Sequence, residues 1–341
     1  MKMNTRQWMV THEWMVKPMP QKEWIEKRGI LVWFSEVLSG LGAGLFLVSL
    51  FMNNQPGMAI GWLIIMCLKL PVHIAYFGKP LRFWRTMPPF SNAWKTSWSA
   101  RGVAFTMIFT IFALVQLAIG QPAIGRLLGP AATPLYWVFG GIAGIFALLT
   151  CVYSGFIMNS CKSVPFWNTG ILPIVFPLTS IAEGFGLIMA IGLAGGDVNM
   201  ASAEMWSRVT LTVNAFIIII YLINASGGSA VGKISVKELI TGKVAVVFWV
   251  GLIALGIVLP LGISISSIYA GGEISSMMQI TAIVCHAVGA FSLKYCLLKV
   301  GLYQPLTPRV PAVTNMKQQV AIGNREILVT PSVGKQSSWQ E

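Results

Sequence analysis

The sequence predicts an all-α integral membrane protein, a bundle of eight transmembrane helices. Composition is the first indication: 55% of the 341 residues are hydrophobic and only 10% are charged, against roughly 25% charged residues in soluble domains. The second is the length of the apolar runs, about 20 residues, which lets a helix cross a hydrocarbon core of about 30 Å. Because backbone polar groups inside a bilayer must bond within the chain, the spanning elements are predicted to be helices.

Eight apolar runs are separated by short segments rich in glycine, proline and asparagine. Asn53–Gly57 and Ala225–Gly228 are two of these segments, and both are predicted to be turns. The approximate limits of the predicted spans are 30–51, 57–77, 103–120, 134–157, 169–194, 207–224, 243–267 and 277–301. In the first of them, the glycines at 40, 42 and 44 are predicted to allow close helix packing.

Three parts of the chain follow from these limits. Residues 1–29 combine charges with Trp8, Trp14 and Trp24, a composition typical of a segment lying at the membrane interface. Residues 30–301 form the membrane domain, and residues 302–341 are predicted to be an extended polar tail.

Basic residues are distributed unequally between the two sides of the predicted bundle. Nineteen of the 24 lysines and arginines fall on the face that holds both termini, whereas the opposite face holds only Arg126 and Arg208. Cytoplasmic loops retain an excess of Lys and Arg, so both termini are predicted to lie in the cytoplasm, with the chain in a prokaryotic cytoplasmic membrane. The net charge of +13 is predicted to interact with anionic lipid headgroups or with an acidic partner, and no nucleic-acid partner is expected.

Ionisable side chains inside the predicted spans are candidates for binding or proton transfer, because a charge there costs roughly 2.5–3.5 kcal/mol on insertion scales. Lys69, His73 and Tyr76 follow one another at i, i+4 and i+7, so one helical face presents an ammonium, an imidazole and a phenol. The structural alternative is that Lys69 pairs with Glu36 or Glu183 only to neutralise buried charge. The six intramembrane positions are Glu36, Lys69, His73, Glu183, His286 and Lys294.

Chain direction places several polar residues near one membrane surface. The first span leaves the N-terminal face, and the second and fourth spans return to it, so Glu36, His73 and Tyr153 are expected at similar depth. Reduction of a quinone takes up two protons, and titratable and hydrogen-bonding groups at this depth suit its headgroup. The residues predicted to bind a quinone are His73, Tyr153, Glu36, Tyr76, Asn159 and Trp167.

Several short motifs then carry a family resemblance. Residues 78–85 read GKPLRFWR and residues 96–102 read TSWSARG, on either side of the second predicted loop. They are accompanied by YSG at 153–155, PFWNT at 165–169 and Lys294-Tyr295 in the last span. In this order within an eight-span protein, the motifs resemble the NrfD-like family, the membrane subunits of polysulfide reductase and related molybdopterin respiratory enzymes.

The resemblance, which covers residues 30–301, implies a haem-free bundle that binds menaquinone or ubiquinone. It also implies a docked ferredoxin-like subunit with several [4Fe–4S] clusters, connected to a catalytic subunit that carries molybdopterin. Arg82 and Arg101 match family arginines near the partner, and Arg85 lies beside them in the motif. Relatives often carry their catalytic subunits outside the cytoplasmic membrane, whereas the charge asymmetry here predicts a partner on the cytoplasmic side.

The same resemblance implies a role for each residue of the quinone site. Tyr153 matches a family tyrosine near the quinone, while Tyr76 stands where many relatives have a histidine, so His73, one turn earlier, is taken as its substitute. Electrons are expected to pass between a [4Fe–4S] cluster of the partner and a quinone held between the first, second and fourth spans. His73 and Tyr153 bond the quinone oxygens in this hypothesis, and Glu36 with Lys69 exchanges protons.

Other interpretations remain open from the residues alone. In a proton- or ion-translocating module or a secondary transporter, Glu36, Lys69, Glu183, His286 and Lys294 would form a path through the bilayer. A transporter is disfavoured because no convincing repeat relates the two halves of the chain. Two intramembrane histidines are too few for paired haem ligation, and the five cysteines form no C-x-x-C pair, so neither haem nor an iron–sulfur cluster is expected in this chain.

Overall fold

The computed structural model describes residues 15–86, 92–269 and 275–306. Within these ranges, eight helices are long and apolar enough to cross a membrane, which confirms the predicted fold class. Most of them extend beyond the predicted limits, because the polar residues flanking each apolar run continue the helix. Spans 1 to 8 are Lys27–Phe51, Gln55–Tyr76, Trp98–Ile119, Pro122–Asn159, Leu172–Leu193, Met200–Gly228, Val247–Tyr269 and Ser276–Lys299.

Two spans contain π-helical segments. Span 2 has one at Ile64–Lys69 and span 7 has one at Val247–Val258. Each is followed within two residues by a proline, Pro71 or Pro260. A proline has no N–H to donate to the carbonyl four residues earlier and its ring crowds that carbonyl, so the preceding turn widens. The carbonyl of Gly256 is therefore left without the amide of residue 260 as a donor.

Short helices connect the spans. The turn predicted at Ala225–Gly228 is wrong, because span 6 continues through it and the backbone turns at Ser229. The Ser229 hydroxyl then accepts a hydrogen bond from the Gly232 amide at 2.9 Å, which caps the connecting helix. The other connecting elements are the 3₁₀ helix Pro80–Thr86 and the α-helices Ala93–Thr96 and Ala230–Thr241. Span 1 begins with the 3₁₀ turn Lys27–Gly29, and span 4 consists of Pro122–Leu128, the 3₁₀ turn Gly129–Ala131 and Ala132–Asn159.

Span 1 lies at the centre of the bundle, where it contacts spans 2, 4, 5 and 8. Its glycines allow this, as predicted: a Cβ on Gly44 would collide with the backbone carbonyl of Ser180 on span 5. One buried apolar cluster joins spans 1 to 4, and another joins spans 5 to 8. The polar residues of the candidate site therefore lie against a helix that is enclosed by its neighbours.

The two ends of the membrane domain are joined at the N-terminal face. Strand β1, Met19–Pro20, pairs antiparallel with strand β2, Leu302–Tyr303. The Gln21 amide adds a hydrogen bond to the Gly301 carbonyl at 2.9 Å. Pro18–Gln304 form one compact unit.

Side chains reinforce this junction. Trp24 packs against Trp167 with ring centroids 5.2 Å apart, and Lys299 Nζ lies 2.8 Å from Glu26 Oε1. This hydrogen bond lowers the pKa of the Glu26 carboxyl below its ordinary value. Lys299 thus lies at the N-terminal face and adds to its positive charge. Trp8, Trp14 and the tail after residue 306 lie outside the described residues.

Candidate functional site

Four of the predicted site residues come together in the N-terminal half of the bundle. Glu36 on span 1, Lys69 and His73 on span 2, and Tyr153 on span 4 are all buried, with 1–8% of each residue exposed. Lys69 Nζ lies 5.3 Å from the centre of the Tyr153 ring, within range of a cation–π interaction. Chain direction and helical spacing therefore predicted this grouping, which is called the N-side cluster below.

Span 3, which the sequence analysis did not assign to the site, forms one wall of the N-side cluster. Lys69 Nζ donates a hydrogen bond to Thr106 Oγ1 at 3.0 Å, and the Thr106 hydroxyl donates to the Gly102 carbonyl at 2.9 Å. Gly102 itself lies directly against the Tyr153 ring. Neither of the acids suggested for Lys69 is its hydrogen-bond partner in the structure; Thr106 is.

Polar atoms of the N-side cluster remain without protein partners. His73 Nδ1 lies 3.0 Å from Ser35 Oγ, which leaves the second ring nitrogen, Nε2, directed elsewhere. Four buried atoms of the cluster, His73 Nε2, Glu36 Oε2, Tyr153 OH and Ser154 Oγ, have no hydrogen bond of good geometry among the described residues. Ser154 nevertheless lies close enough to Glu36 and Tyr153 to interact with both. A buried polar group without a partner costs about 1–3 kcal/mol, and such groups are rare in native proteins. Four of them around one place suit a polar ligand with both acceptor and donor character.

The other three residues assigned to the quinone site lie at its edge or away from it. Tyr76, at the end of span 2, is only half-buried, and its ring lies 6.2 Å from that of Phe77. Asn159 ends span 4, where its carbonyl accepts a hydrogen bond from the side chain of Asn168. Trp167 is buried against span 8 and donates to a backbone carbonyl there at 2.7 Å. The described contacts do not join Trp167 to the N-side cluster.

A second buried group joins spans 5 and 8. Glu183 Oε1 lies 2.7 Å from Lys294 Nζ, with 0% and 2% of the two side chains exposed. Glu183, offered above as one alternative partner of Lys69, is thus paired with Lys294. Gly40 of span 1 packs directly on this ion pair, one helical turn from Glu36.

The two histidines of the spans lie in different surroundings. His286 Nδ1 lies 3.2 Å from the Gly256 carbonyl on span 7, in the π-helical segment that precedes Pro260. His73 faces Ser35 on span 1 instead. Each imidazole is therefore held by its own local partner rather than by the other.

The predicted docking arginines lie on an exposed surface of the N-terminal face. Arg82 and Arg85 project from the 3₁₀ helix Pro80–Thr86 next to exposed Leu81 and Trp84. This surface combines positive charge with apolar side chains, a combination that suits a protein partner.

Arg101 has a structural role beside the same surface. Its guanidinium donates to the carbonyl of Trp94 at 2.8 Å and lies 4.4 Å from the Trp98 ring centre. Trp98 in turn stacks on Phe156 of span 4, with ring centroids 4.3 Å apart. These contacts connect the second loop to the end of the helix that carries Tyr153.

Comparison with known proteins agrees with this architecture. The family model described as polysulphide reductase, NrfD, matches residues 29–305. A polysulfide reductase subunit of Wolinella succinogenes is 25% identical over 164 residues, which amount to 46% of this sequence and 51% of that subunit. A protein NrfD homolog of Haemophilus influenzae is 23% identical over 69% of this sequence and 78% of its own length. Protein NrfD of Escherichia coli is 23% identical over 66% of this sequence and 80% of its own length. The matched region therefore spans about half of the first relative and about four fifths of the other two.

Proposed function

The chain belongs to the NrfD family of polysulphide reductase membrane proteins, and from this premise we propose that it is the quinone-binding membrane subunit of a respiratory oxidoreductase complex. It transfers electrons between a membrane quinone, menaquinone or ubiquinone, and a docked ferredoxin-like subunit with [4Fe–4S] clusters. The terminal substrate reacts on a further subunit, which carries molybdopterin. The complex lies in a prokaryotic cytoplasmic membrane, with both termini of this chain in the cytoplasm.

The observation that carries this proposal is the set of unpaired buried atoms in the N-side cluster. A quinone has two carbonyl oxygens that accept hydrogen bonds, and its reduction adds two electrons and two protons. When Ser35 donates to His73 Nδ1, the proton of the imidazole is on Nε2, which has no protein partner among the described residues. His73 Nε2 and Tyr153 OH are then two donors for the quinone oxygens.

Proton exchange is assigned to Glu36 and Lys69. Glu36 Oε2 is buried and unpaired among the described residues, and Glu36 and Lys69 interact electrostatically. The Glu36 carboxylate is negative when ionised and neutral when protonated, whereas the neighbouring Lys69 ammonium is positive. Glu36 can therefore accept or return a proton without placing two like charges side by side. Thr106 keeps the Lys69 ammonium oriented towards the Tyr153 ring.

The exposed surface with Arg82 and Arg85 is proposed to hold the iron–sulfur partner. It lies at the same face as the N-side cluster, so electrons and quinone meet on one side of the bilayer. Arg101 contributes by ordering the neighbouring loop, since its Nε and Nη2 atoms donate to backbone carbonyls of that loop.

The proposal is tested by purifying the protein with its bound subunits in mild detergent. Iron and quinone are then extracted, and quinone-coupled turnover is measured. The decisive variant is Tyr153→Phe, which deletes one hydroxyl that has no protein partner among the described residues and so leaves packing intact. The matched control is Tyr136→Phe, the same change on the same span at its opposite end, where the hydroxyl lies 4.0 Å from Met58 Sδ.

We expect Tyr153→Phe to lower turnover at least tenfold, the equivalent of about 1.4 kcal/mol, while Tyr136→Phe retains the wild-type rate. His73→Ala should abolish turnover without loss of the bound subunits. A purified protein without quinone or iron, or a Tyr153→Phe variant as active as its control, would refute the proposal.

A further inference from the structure

A small cavity of about 40 Å³ lies in the half of the bundle opposite the N-side cluster, between spans 5, 6, 7 and 8. Its lining includes polar side chains of spans 6, 7 and 8. They are Glu204, Ser207, Arg208, Ser264, Gln279 and His286.

The charged pair in this cavity is partly open to its surroundings. Arg208 Nη2 lies 3.2 Å from Glu204 Oε1, with 23% and 14% of the two side chains exposed. Arg208 Nε also donates to Ser264 Oγ at 3.0 Å, and Ser267 bonds to Glu204. The charges neutralise each other, so the cavity is polar without a net charge and favours water over an ionic ligand.

His286 lies at the inner end of the cavity. It is 8% exposed. Its Nε2 atom has no hydrogen bond of good geometry among the described residues, although the imidazole also interacts with the backbone of Ala182 on span 5. Across from it on span 5 is Gly186, where a Cβ would still be 3.7 Å from the imidazole Cδ2. Because residue 186 has no side chain, the imidazole lies close to span 5, and Glu183 is one turn further along that helix.

The buried ion pair continues this line of polar groups towards span 1. Glu183 Oε1 is bonded to Lys294, but Glu183 Oε2 is buried and has no partner among the described residues. Gly40 of span 1 lies against both atoms, Glu183 Oε2 and Lys294 Nζ. Glu36, one turn earlier, interacts electrostatically with Lys294 as well as with Lys69. The polar residues thus extend from the far cavity to the N-side cluster.

We infer that His286, Glu183 and Lys294 conduct protons between the cavity at the far membrane face and Glu36. The inference rests on the proposed quinone reaction, because it names the side from which the protons of that reaction come. Reduction of the quinone then takes two electrons from the iron–sulfur partner at the N-terminal face and two protons from the far face. Two charges are thereby separated across the bilayer in each turnover, and quinol oxidation reverses both movements.

The side of proton uptake is measured on the intact complex in sealed phosphatidylethanolamine–phosphatidylglycerol vesicles. A membrane-impermeant sulfonated viologen, reduced beforehand, supplies electrons, so that only complexes with the partner outside are active. A short-chain quinone analogue is the acceptor, and a trapped pH dye reports on the lumen. We expect the lumen to become alkaline during turnover, and an uncoupler to abolish the change.

If both protons per quinone are taken up from the external solution and the lumenal pH does not change, the inference is overturned while the proposed function stands. Absence of any viologen-to-quinone turnover would instead refute the proposed function. The wild-type experiment alone separates these outcomes, so it does not depend on the folding of any variant.

Variants then test the named residues. Glu183→Gln keeps an acceptor for Lys294 but removes the titratable oxygen, and His286→Gln removes the imidazole. Each variant should lower turnover at least tenfold and abolish the pH change in the lumen, with the iron and quinone content of the complex unchanged. The control is Ser292→Ala on span 8, whose hydroxyl bonds only to the Val288 carbonyl of its own helix. If both variants retain the wild-type lumenal change per turnover, the assigned path is wrong.

Discussion

Replacing Gly102 by alanine tests the geometry of the N-side cluster most directly. A Cβ on Gly102 would lie 2.7 Å from Cγ of the Tyr153 ring, and still closer to two other ring atoms. Carbon atoms in contact are normally about 3.5–4.0 Å apart, so the nearest edge of the ring must retreat by more than about 1 Å. Tyr153 is only 1% exposed, which leaves it little free space into which to move. The phenol oxygen would be displaced with the ring.

The expected effect on turnover is larger than that on stability. A displacement of about 1 Å at a group that contacts the reacting molecule costs up to about 10²-fold in rate, so we expect Gly102→Ala to lower quinone-coupled turnover by about 10- to 100-fold. Overpacking costs about 1–3 kcal/mol, and the better helix propensity of alanine offsets about 1 kcal/mol of this. The assembled complex should therefore remain isolable.

The matched control is Gly141→Ala on span 4, the helix that carries Tyr153. A Cβ added to Gly141 would have no described atom within 4 Å apart from its own helix backbone and adjacent residues. The substitution therefore brings the same gain in helix propensity without a clash. Turnover is measured on the purified complex together with thermal unfolding, followed by a thiol-reactive dye that reports the buried cysteines. Equal turnover in the two variants would refute the assignment of Tyr153 to the reacting site.

Three further predictions concern individual contacts. Lys294→Met leaves the buried Glu183 carboxylate unpaired and should lower the free energy of unfolding by about 3–5 kcal/mol. Adding Glu183→Gln to this variant should restore part of the lost stability. If unfolding in detergent shows instead that the losses of the two substitutions add, the buried ion pair is not the cause. The pKa of Glu26 lies below its ordinary value of 4.5 because Lys299 donates to it, so this contact stabilises the folded protein at neutral pH and is lost on acidification below 4.5. The unfolding temperature of Glu26→Gln should accordingly fall less than that of the wild type over that range. Trp167→Phe removes the donor to a buried carbonyl and should cost about 1–3 kcal/mol in the same unfolding assay, without a selective loss of turnover per assembled complex.

The part of the site that could be predicted depends on depth and helical periodicity. Length and composition determine how many times the bilayer is crossed, and the crossing number determines which helix ends share a face. Glu36, His73 and Tyr153 were therefore expected at one depth. Lys69 and His73, four residues apart, were expected on one side of span 2, as the structure shows.

The contribution of span 3 was not predictable in this way. Thr106 and Gly102 carry no charge, and threonine and glycine are common wherever membrane helices pack. Their importance depends on the rotation of span 3 about its axis, which is determined by all of its neighbours. The same applies to Ser35, which holds His73, and to Ser154.

Lateral position explains the remaining differences. Trp167 lies at the expected face, but depth alone does not say which helix a loop residue touches, and it packs on span 8. Glu183 pairs with Lys294 because spans 5 and 8 are neighbours, a relation that the order of spans along the sequence does not reveal. Pro71 and Pro260 were visible in the sequence, yet they do not reveal that the Gly256 carbonyl before Pro260 contacts His286 on another helix.

The pairing of β1 with β2 makes synthesis of all eight spans a condition for closing the bundle. Met19–Pro20 leave the ribosome before the first span, and Leu302–Tyr303 leave it after the last. A nascent polypeptide that stops before span 8 has no strand for β1, no carbonyl for Trp167 and no lysine for Glu26. The segment around β1 then lacks the contacts that hold it at the N-terminal face. The joined ends thus distinguish a polypeptide that contains span 8 and β2 from one that stops before them.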